Sequence, residues 1–272
     1  MFHEKDNPDS LVLDVSTPSN PTLIGEVSDI NLLYGAISND GTKLFTSNNV
    51  FDISNPLNPK LLNENFRTRT LRKTRTLKRN ASVILSPDNT KLYISNGSGS
   101  SGISVYDVKD INNIKQIYYK TYKTWDRLVN DGEYAIISND GNRLYWSSNN
   151  GFTALDVSGL NNAEPQIASF ISKIVSFSNM VAISSDETKM YASFPTYRFN
   201  NRQVSVIGEI DISNLENFND YKRTNQTEAI AITLNMNEFE LSKDDKYLFI
   251  ADKAGLFVYE VLKLPKIHLD IE

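Results

Sequence analysis

Apolar residues in this chain come in short runs, each stopped by Ser, Asn, Asp, Gly or Pro. The stretch 81–121, ASVILSPDNTKLYISNGSGSSGISVYDVKDINNIKQIYYKT, shows the unit. Val83–Leu85 enters a Ser-Pro-Asp-Asn-Thr turn and Leu92–Ile94 leaves it. A Gly/Ser-rich loop follows, and Ile103–Val108 and Gln116–Tyr119 then flank an Asn-containing turn. Runs of β-branched and aromatic residues between turn formers are strand signals, so the unit predicts four strands, A to D, in one antiparallel meander. A lone meander has two bare edges and cannot bury its face alone, so its stability has to come from repetition.

Two signatures show that repetition. The first, Ser-x-Asp-x-x-Lys/Arg-Leu/Met-Tyr/Phe, runs over Ser38–Phe45, Ser86–Tyr93, Ser138–Tyr145 and Ser184–Tyr191. A fifth copy, Ser242–Phe249, has Tyr247 where the base should be and Lys246 one place early. The second is an apolar residue, Asp and Val/Ile, with Asn six residues after the Asp: Asp14/Asn20, Asp52/Asn58, Asp107/Asn113, Asp156/Asn162 and Asp211/Asn217. Tyr259-Glu260-Val261 is a looser sixth copy without the Asn. An Asp side chain can bond backbone amides two residues on, so the first signature reads as the A–B turn and the second as the C–D turn.

The C–D turns DVSTPSNPTLIGEV and FDISNPLNPKLL resemble the LVIVD repeat, a β-propeller family of bacterial and archaeal proteins, while A–B turns such as SPDNTKLYISN resemble YVTN/lactonase-type propeller repeats. DVKDINNIKQIYY, DVSGLNNAEPQIA and DISNLENFNDY keep the Asp and Asn but lose the prolines. The resemblance implies an all-β fold, a β-propeller of four-stranded antiparallel blades. The expected division is a single domain over 1–272 with a partial unit at 1–32 and five full units near 33–65, 81–122, 133–170, 179–224 and 237–272, residues 66–80 being a basic insertion. Met1–Val15 aligns with Leu248–Val261, so the sequence is expected to start inside a B strand. Two readings of closure are open. Either Ile267–Ile271 completes the first blade and closes a six-bladed ring, which removes sheet edges, or this is a piece of a longer protein. The length of 272 residues suits a closed all-β fold, and 13 Tyr with 13 Phe suits sheets better than helices.

In an up-and-down meander the A–B and C–D turns share one face of the ring, and the B–C and D–A connections share the other. On the second face the Asp-to-Asp spacing is 12, 19, 16, 25 and 16 residues across the B–C connection and 26, 36, 33, 30 and 33 across the D–A connection. The turn signatures of the first face keep fixed lengths. Scaffold turns stay regular while binding loops diverge on a rigid support. Binding is therefore expected on the B–C/D–A face, with unconstrained loop drift as the bland alternative.

Four stretches on that face stand out. Phe66–Asn80, FRTRTLRKTRTLKRN, holds seven basic and no acidic residues in 15: Arg67, Arg69, Arg72, Lys73, Arg75, Lys78 and Arg79 could neutralise phosphates or another anionic surface, or balance an acidic body. Trp125 with Arg127 in a D–A connection has the composition of an interaction hot spot or sugar-stacking platform, and equally of blade packing. Phe194–Arg202, read as the longest B–C loop, offers Tyr197, Arg198, Phe199 and Arg202 as contact residues or as packing on a neighbour. Residues 223–237, polar then apolar, read as an inner strand or short helix.

The formal charge of −5 argues against general nucleic-acid affinity, and no apolar stretch is long enough for a spanning helix. With no cysteine and only His3 and His268, near opposite ends, no thiol chemistry, disulfide or Cys/His metal site is expected, and no catalytic residue or cofactor is assigned. The leading expectation is a non-enzymatic propeller binding a protein, a glycan or an anionic surface. The LVIVD resemblance implies a surface or exported location, against which stands a charged N-terminus without a signal-peptide core; a cytoplasmic location is the alternative. The competing functions are a lactonase-like hydrolase or metal-assisted enzyme in the central channel, and an intracellular scaffold or effector.

Overall fold

The computed structural model describes residues 10–27, 35–64, 66, 82–96, 102–121, 134–148, 151–160, 166–172, 181–199, 202–213, 226–233, 236–252, 255–261 and 267–270. Among these, every regular element is a strand except a single 3-10 turn at Ile111–Asn113, and no helix is long and apolar enough to cross a membrane.

The strands form six antiparallel sheets that follow the repeat. The chain enters with β1 (Ser10–Asp14) and β2 (Thr22–Val27), a pair corresponding to C and D strands. The first complete sheet joins β3 (Gly35–Ile37), β4 (Lys43–Thr46), β5 (Val50–Asp52) and β6 (Lys60–Asn63). The second joins β7 (Val83–Leu85), β8 (Lys91–Asn96), β9 (Gly102–Asp107) and β10 (Lys115–Thr121), and the third β11 (Tyr134–Ile137), β12 (Arg143–Ser148), β13 (Gly151–Asp156) and β14 (Gln166–Ser172). The fourth contains β15 (Val181–Ile183), β16 (Lys189–Phe199), β17 (Arg202–Asp211) and β18 (Gln226–Thr233), and the fifth β19 (Met236–Leu241), β20 (Tyr247–Asp252) and β21 (Gly255–Glu260).

Three expectations are corrected. Residues 226–233 form neither an inner strand nor a helix: β18 is the outer strand of the fourth sheet, pairing with β17. The last strand, β22 (Ile267–Asp270), does not complete the first blade; it adds to β18, with Gln226 opposite Asp270. Any outer strand presents an edge that a short strand can cap, and the alternating pattern of Ile267–Asp270 does not say which edge. Phe194–Phe199 is not loop but strand: β16 and β17 run on as a hairpin extension with Phe199 opposite Arg202, past a register irregularity between Phe194 and Tyr197.

The inner strands β3, β7, β11, β15 and β19 stand side by side in chain order, so the sheets are arranged radially. The core accordingly lies between sheets. Phe45 and Val50 of the first sheet cluster with Leu85, Leu92, Ile94 and Tyr106 of the second. Tyr93 and Val105 of the second meet Leu144, Leu155 and Val157 of the third. Tyr191 and Ile207 of the fourth meet Phe239, Leu248 and Ile250 of the fifth. The Leu-Tyr step of the first signature thus works in both directions, because successive strand residues point to opposite faces: Leu92 turns back to the first sheet and Tyr93 forward to the third.

Leu92 is fully buried in this interface, whereas Leu61 on the outer strand β6 is half exposed. Urea denaturation should show Leu92→Ala losing about 2–5 kcal/mol and Leu61→Ala less than about 0.5 kcal/mol.

Candidate functional site

The inner strands enclose a central cavity of about 990 Å³. Its wall is built by Gly35–Ile37, Val83–Leu85, Ala135–Ile137, Val181–Ile183 and Phe239–Leu241. The registers make Ala36, Ile84, Ile136, Ala182 and Glu240 equivalent, each opposite the aromatic of its first signature. Glu240 is therefore the one acidic residue among the inner-strand residues that line the cavity. One end of the cavity is rimmed by the A–B turns, through Asn39, Pro87, Asn139, Ser185 and Lys243.

Each A–B turn is a closed polar network. The Ser hydroxyl donates to the Asp two residues on, at 2.5 to 2.7 Å, in all five copies. The same hydroxyl accepts the amide of the residue opening the B strand: Lys43, Lys91, Arg143, Lys189 or Tyr247. The Asp also accepts the amide two residues beyond itself. In the C–D turns, Asp14, Asp52, Asp107, Asp156 and Asp211 likewise accept the amide two residues on, as turn-forming Asp residues do.

The two signatures share one face. Lys43 stands opposite Asp52, Lys91 opposite Asp107, Arg143 opposite Asp156 and Lys189 opposite Asp211. The fifth sheet departs at both positions together, with Tyr247 opposite Glu260.

Successive turns are clamped by the fourth residue of the first signature, which has positive φ in every copy: Gly41, Asn89, Gly141, Glu187 and Asp245. Outside Gly that conformation costs about 1–2 kcal/mol, and the three non-glycine side chains reach back to the preceding sheet. Asn89 accepts the Asn39 amide at 3.1 Å, Asp245 accepts the Ser185 amide at 2.9 Å, and Glu187 accepts the Tyr145 hydroxyl and faces Arg143 at 3.8 Å. For Glu187 and Asp245 the acceptor is charged, and such a hydrogen bond contributes roughly 1.5–3 kcal/mol, enough to offset the backbone strain; the neutral Asn89 contributes roughly 0.5–1.5 kcal/mol. Gly141 meets Pro87 instead, and a Cβ there would lie 3.3 Å from the proline ring.

The turn carboxylates are stabilised as anions. Asp40, Asp140 and Asp186 lie below the ordinary carboxylate range because of the Ser hydroxyl first and the following amide second. The Ser242 hydroxyl and then Lys246 bring Asp244 to about 2. Burial raises Asp88, but the Ser86 and Thr90 hydrogen bonds outweigh it. Burial also lifts the Tyr93 phenol to about 12. Tyr145 is raised by burial first and then by its bond to Glu187, so it remains a donor.

On the opposite face, Arg67, Arg69, Arg72, Lys73, Arg75, Lys78, Arg79, Trp125 and Arg127 lie outside the described residues. The flanks of the basic segment are fixed, however. The Phe66 amide donates to Asn48 O at 3.2 Å, and its ring meets Tyr106 edge-on at 5.3 Å. Ser82 accepts the Ser95 amide through its carbonyl, and its hydroxyl accepts the Ala135 amide at 3.1 Å. Both anchors sit at the B–C end of their sheets. Tyr197, Arg198, Phe199 and Arg202 are placed together by backbone register on the β16–β17 extension. The fixed positive-φ position escaped the sequence reading because only two of its five copies are Gly.

No family model matches the chain, and no curated protein matches it. Solved structures do. A periplasmic gluconolactonase from Pseudomonas aeruginosa aligns at TM-score 0.55 and 14 % identity over 93 % of this chain and 72 % of that one. TolB from Acinetobacter baumannii aligns at 0.54 and 15 % over 89 % and 54 %, and a protein of unknown function from Desulfotomaculum acetoxidans at 0.57 and 10 % over 93 % and 75 %. The fold is a β-propeller. Identities this low establish the propeller and nothing finer, so the LVIVD relationship stays a resemblance.

Two outcomes follow for the turns. Gly141→Ala should cost more stability than Gly41→Ala. Both place Cβ at positive φ, at about 1–2 kcal/mol, but only position 141 adds pressure on Pro87, whereas nothing lies within 4 Å of a Cβ at position 41; chemical denaturation of the two variants measures the gap. For the depressed carboxylates, stabilisation is complete above the unfolded value of about 4 and disappears as pH falls through the folded values. Tm should therefore hold steady above about pH 5 and fall between about pH 4 and 2, and Asp40→Asn with Asp140→Asn should flatten that fall.

Proposed function

We propose that this propeller is a non-enzymatic binding module that engages an anionic partner, a protein or glycan or a charged surface, through the face bearing its B–C and D–A connections. One observation carries the reading. The A–B/C–D face spends its polar side chains on itself, in turn networks and clamps between turns, while all the length variation lies on the other face. The basic segment 67–80 starts and ends there, on anchors tied into the first two sheets. A hairpin bearing Tyr197, Arg198, Phe199 and Arg202 extends from the same side. Trp125 and Arg127 belong to a D–A connection of that face.

An extracytoplasmic or surface location fits this role. It is supported by the LVIVD resemblance and by a structural neighbour described as periplasmic. The competing reading, a lactonase-like or metal-assisted enzyme, is motivated by the gluconolactonase among the neighbours and by Glu240 in the channel. The described channel lining is otherwise apolar along the inner strands, a wall suited to holding the ring together.

The test is capture on heparin beads, used as a polyanionic probe, and on a glycan array. Wild type should be retained. The Arg67/Arg69/Arg72/Arg75→Glu variant should lose retention at physiological salt while its stability moves by no more than about 0.5 kcal/mol. Equal binding by both proteins removes the basic segment from the function.

A further inference from the structure

We propose that Glu228, His268 and Asp270 form a site for a divalent transition-metal ion such as Zn²⁺, and that the ion fastens β22 to the fourth sheet. The three residues are distant in the chain, and the ladder brings them to one sheet edge. Glu228 of β18 stands opposite His268 of β22, while Asp270, two residues along β22, stands opposite Gln226. Residues two apart on a strand share a face, as do directly opposed residues, so the two acidic residues and the histidine lie on one face of the sheet. Opposed Cβ atoms in such a ladder are about 4.5–5.5 Å apart, and residues two along one strand about 7 Å. From that spacing one histidine and two carboxylates can share a single ion at donor distances of about 2.0–2.2 Å.

The charge on that face calls for a cation. Followed inward, the same register row places Glu209 of β17 opposite Glu228, and Tyr191 of β16 opposite Glu209. The next row holds Lys189 opposite Asp211, with Gln226 opposite Asp270 on the outer strands. Glu209, Asp211, Glu228 and Asp270 thus share these rows with a single ammonium, Lys189. Like charges directly opposite in a ladder are destabilising, and Glu209 with Glu228 is such an opposition. Lys189 serves the inner side: its Nζ lies 3.2 Å from Glu209, and it stands opposite Asp211. The Asp211 carboxylate also accepts the Ser213 amide and hydroxyl. The inner two carboxylates are therefore matched within the sheet, and the outer two, Glu228 and Asp270, flank His268 in the register.

The donor set selects the ion. Oxygen ligands alone suit Ca²⁺ and Mg²⁺, whereas an imidazole nitrogen favours Zn²⁺ and its transition-metal neighbours. One imidazole with two carboxylates supplies three protein ligands, and water completes the tetrahedron that Zn²⁺ prefers. Binding there has a mechanical result. β22 is held to β18 by a ladder of four residue pairs, Gln226–Asp270 to Ala229–Ile267, and it follows β21 of the fifth sheet in the chain. An ion shared by β18 and β22 would tie the outer edge of the fourth sheet to the segment leaving the fifth. Such a cross-link restricts the unfolded chain as well as the strand, so metal affinity becomes folding stability.

The test is calorimetric titration of the untagged full chain with Zn²⁺, after stripping with EDTA and desalting. Saturable one-to-one binding is expected, with a raised Tm that EDTA reverses and slower amide exchange at 226–229 and 267–270. His268→Ala should weaken Zn²⁺ at least about a hundredfold, the upper end of the roughly 10–100-fold lost when a metal site's outer partners are removed. Glu228→Gln and Asp270→Asn should each weaken it at least about tenfold. His3→Ala, which removes the other histidine, should leave binding unchanged, and Ca²⁺ should shift neither heat nor Tm. If His268→Ala loses its β-sheet circular dichroism, the nearly isosteric Glu228→Gln decides. Three results overturn the proposal: no saturable Zn²⁺ binding by folded protein, affinity indifferent to His268→Ala and Glu228→Gln, or Ca²⁺ bound as tightly as Zn²⁺.

Discussion

A four-stranded sheet of this sequence has apolar side chains on both faces and, among the described residues, no α-helix to cover either. Each face can be dried only by the face of another sheet, so no unit is stable by itself, and the number of neighbours matters more than any internal feature. The interfaces are filled in a fixed sense. The aliphatic residue of the first signature turns to the preceding sheet and the aromatic to the next, as Leu92 and Tyr93 show. The repeated Leu-Tyr step is thus the joint between blades, and the spacing of the ring follows from the volume of those two side chains.

Hydrophobic contact alone does not fix the angle between sheets, and the turns supply that constraint. The fourth turn position needs a left-handed backbone in every copy, and its occupant varies with what the preceding turn presents. Facing the Pro87 ring, the position is Gly141, where a Cβ would sit tightly at 3.3 Å from the ring. Facing an amide or a phenol, it is Asn89, Asp245 or Glu187, and the side chain that strains the backbone also holds the neighbouring sheet. The strain is local and the benefit lies between blades. For that reason a substitution at this position acts on the ring more than on the turn.

The strands, the order A to D and the shared face of the two signatures were legible in the sequence because they rest on short-range rules: period-two alternation, Asp-centred turns and fixed spacing. The cross-strand pairing of Lys91 with Asp107 is a direct consequence of two such turns at one end of a ladder. What was not legible depended on choices between equivalent partners. Ile267–Asp270 has the pattern of any edge strand, and several outer strands could have received it before β18 did. Residues 226–233 begin nine residues after Asn217 of their C–D signature, whereas β6 begins two after Asn58, so their place as the outer strand was hidden. The Phe194–Arg202 segment has aromatic and β-compatible residues, yet the long B–C spacing made it read as loop, and the extended hairpin shows that the strand propensity prevailed. Of the candidate binding residues, the structure places Tyr197, Arg198, Phe199 and Arg202 on one hairpin; for the basic segment it fixes the flanks.

The two faces differ in how much of their chemistry is available to a partner. On the A–B/C–D face a carboxylate such as Asp40 already accepts two hydroxyls and an amide, and its charge is further matched by Lys43. A ligand docking there would have to break bonds inside a turn before making its own, and each lost turn would loosen the clamp to the next sheet. The B–C and D–A connections vary in length and sequence, and their described ends are held by sheet residues such as Phe66 and Ser82. A rigid ring that satisfies its polar groups on one face leaves the other free to change residue by residue without altering the scaffold. The fifth sheet agrees with this division. There Tyr247 stands in place of the base and Glu260 in place of the Asp, and the two are opposite each other in the ladder.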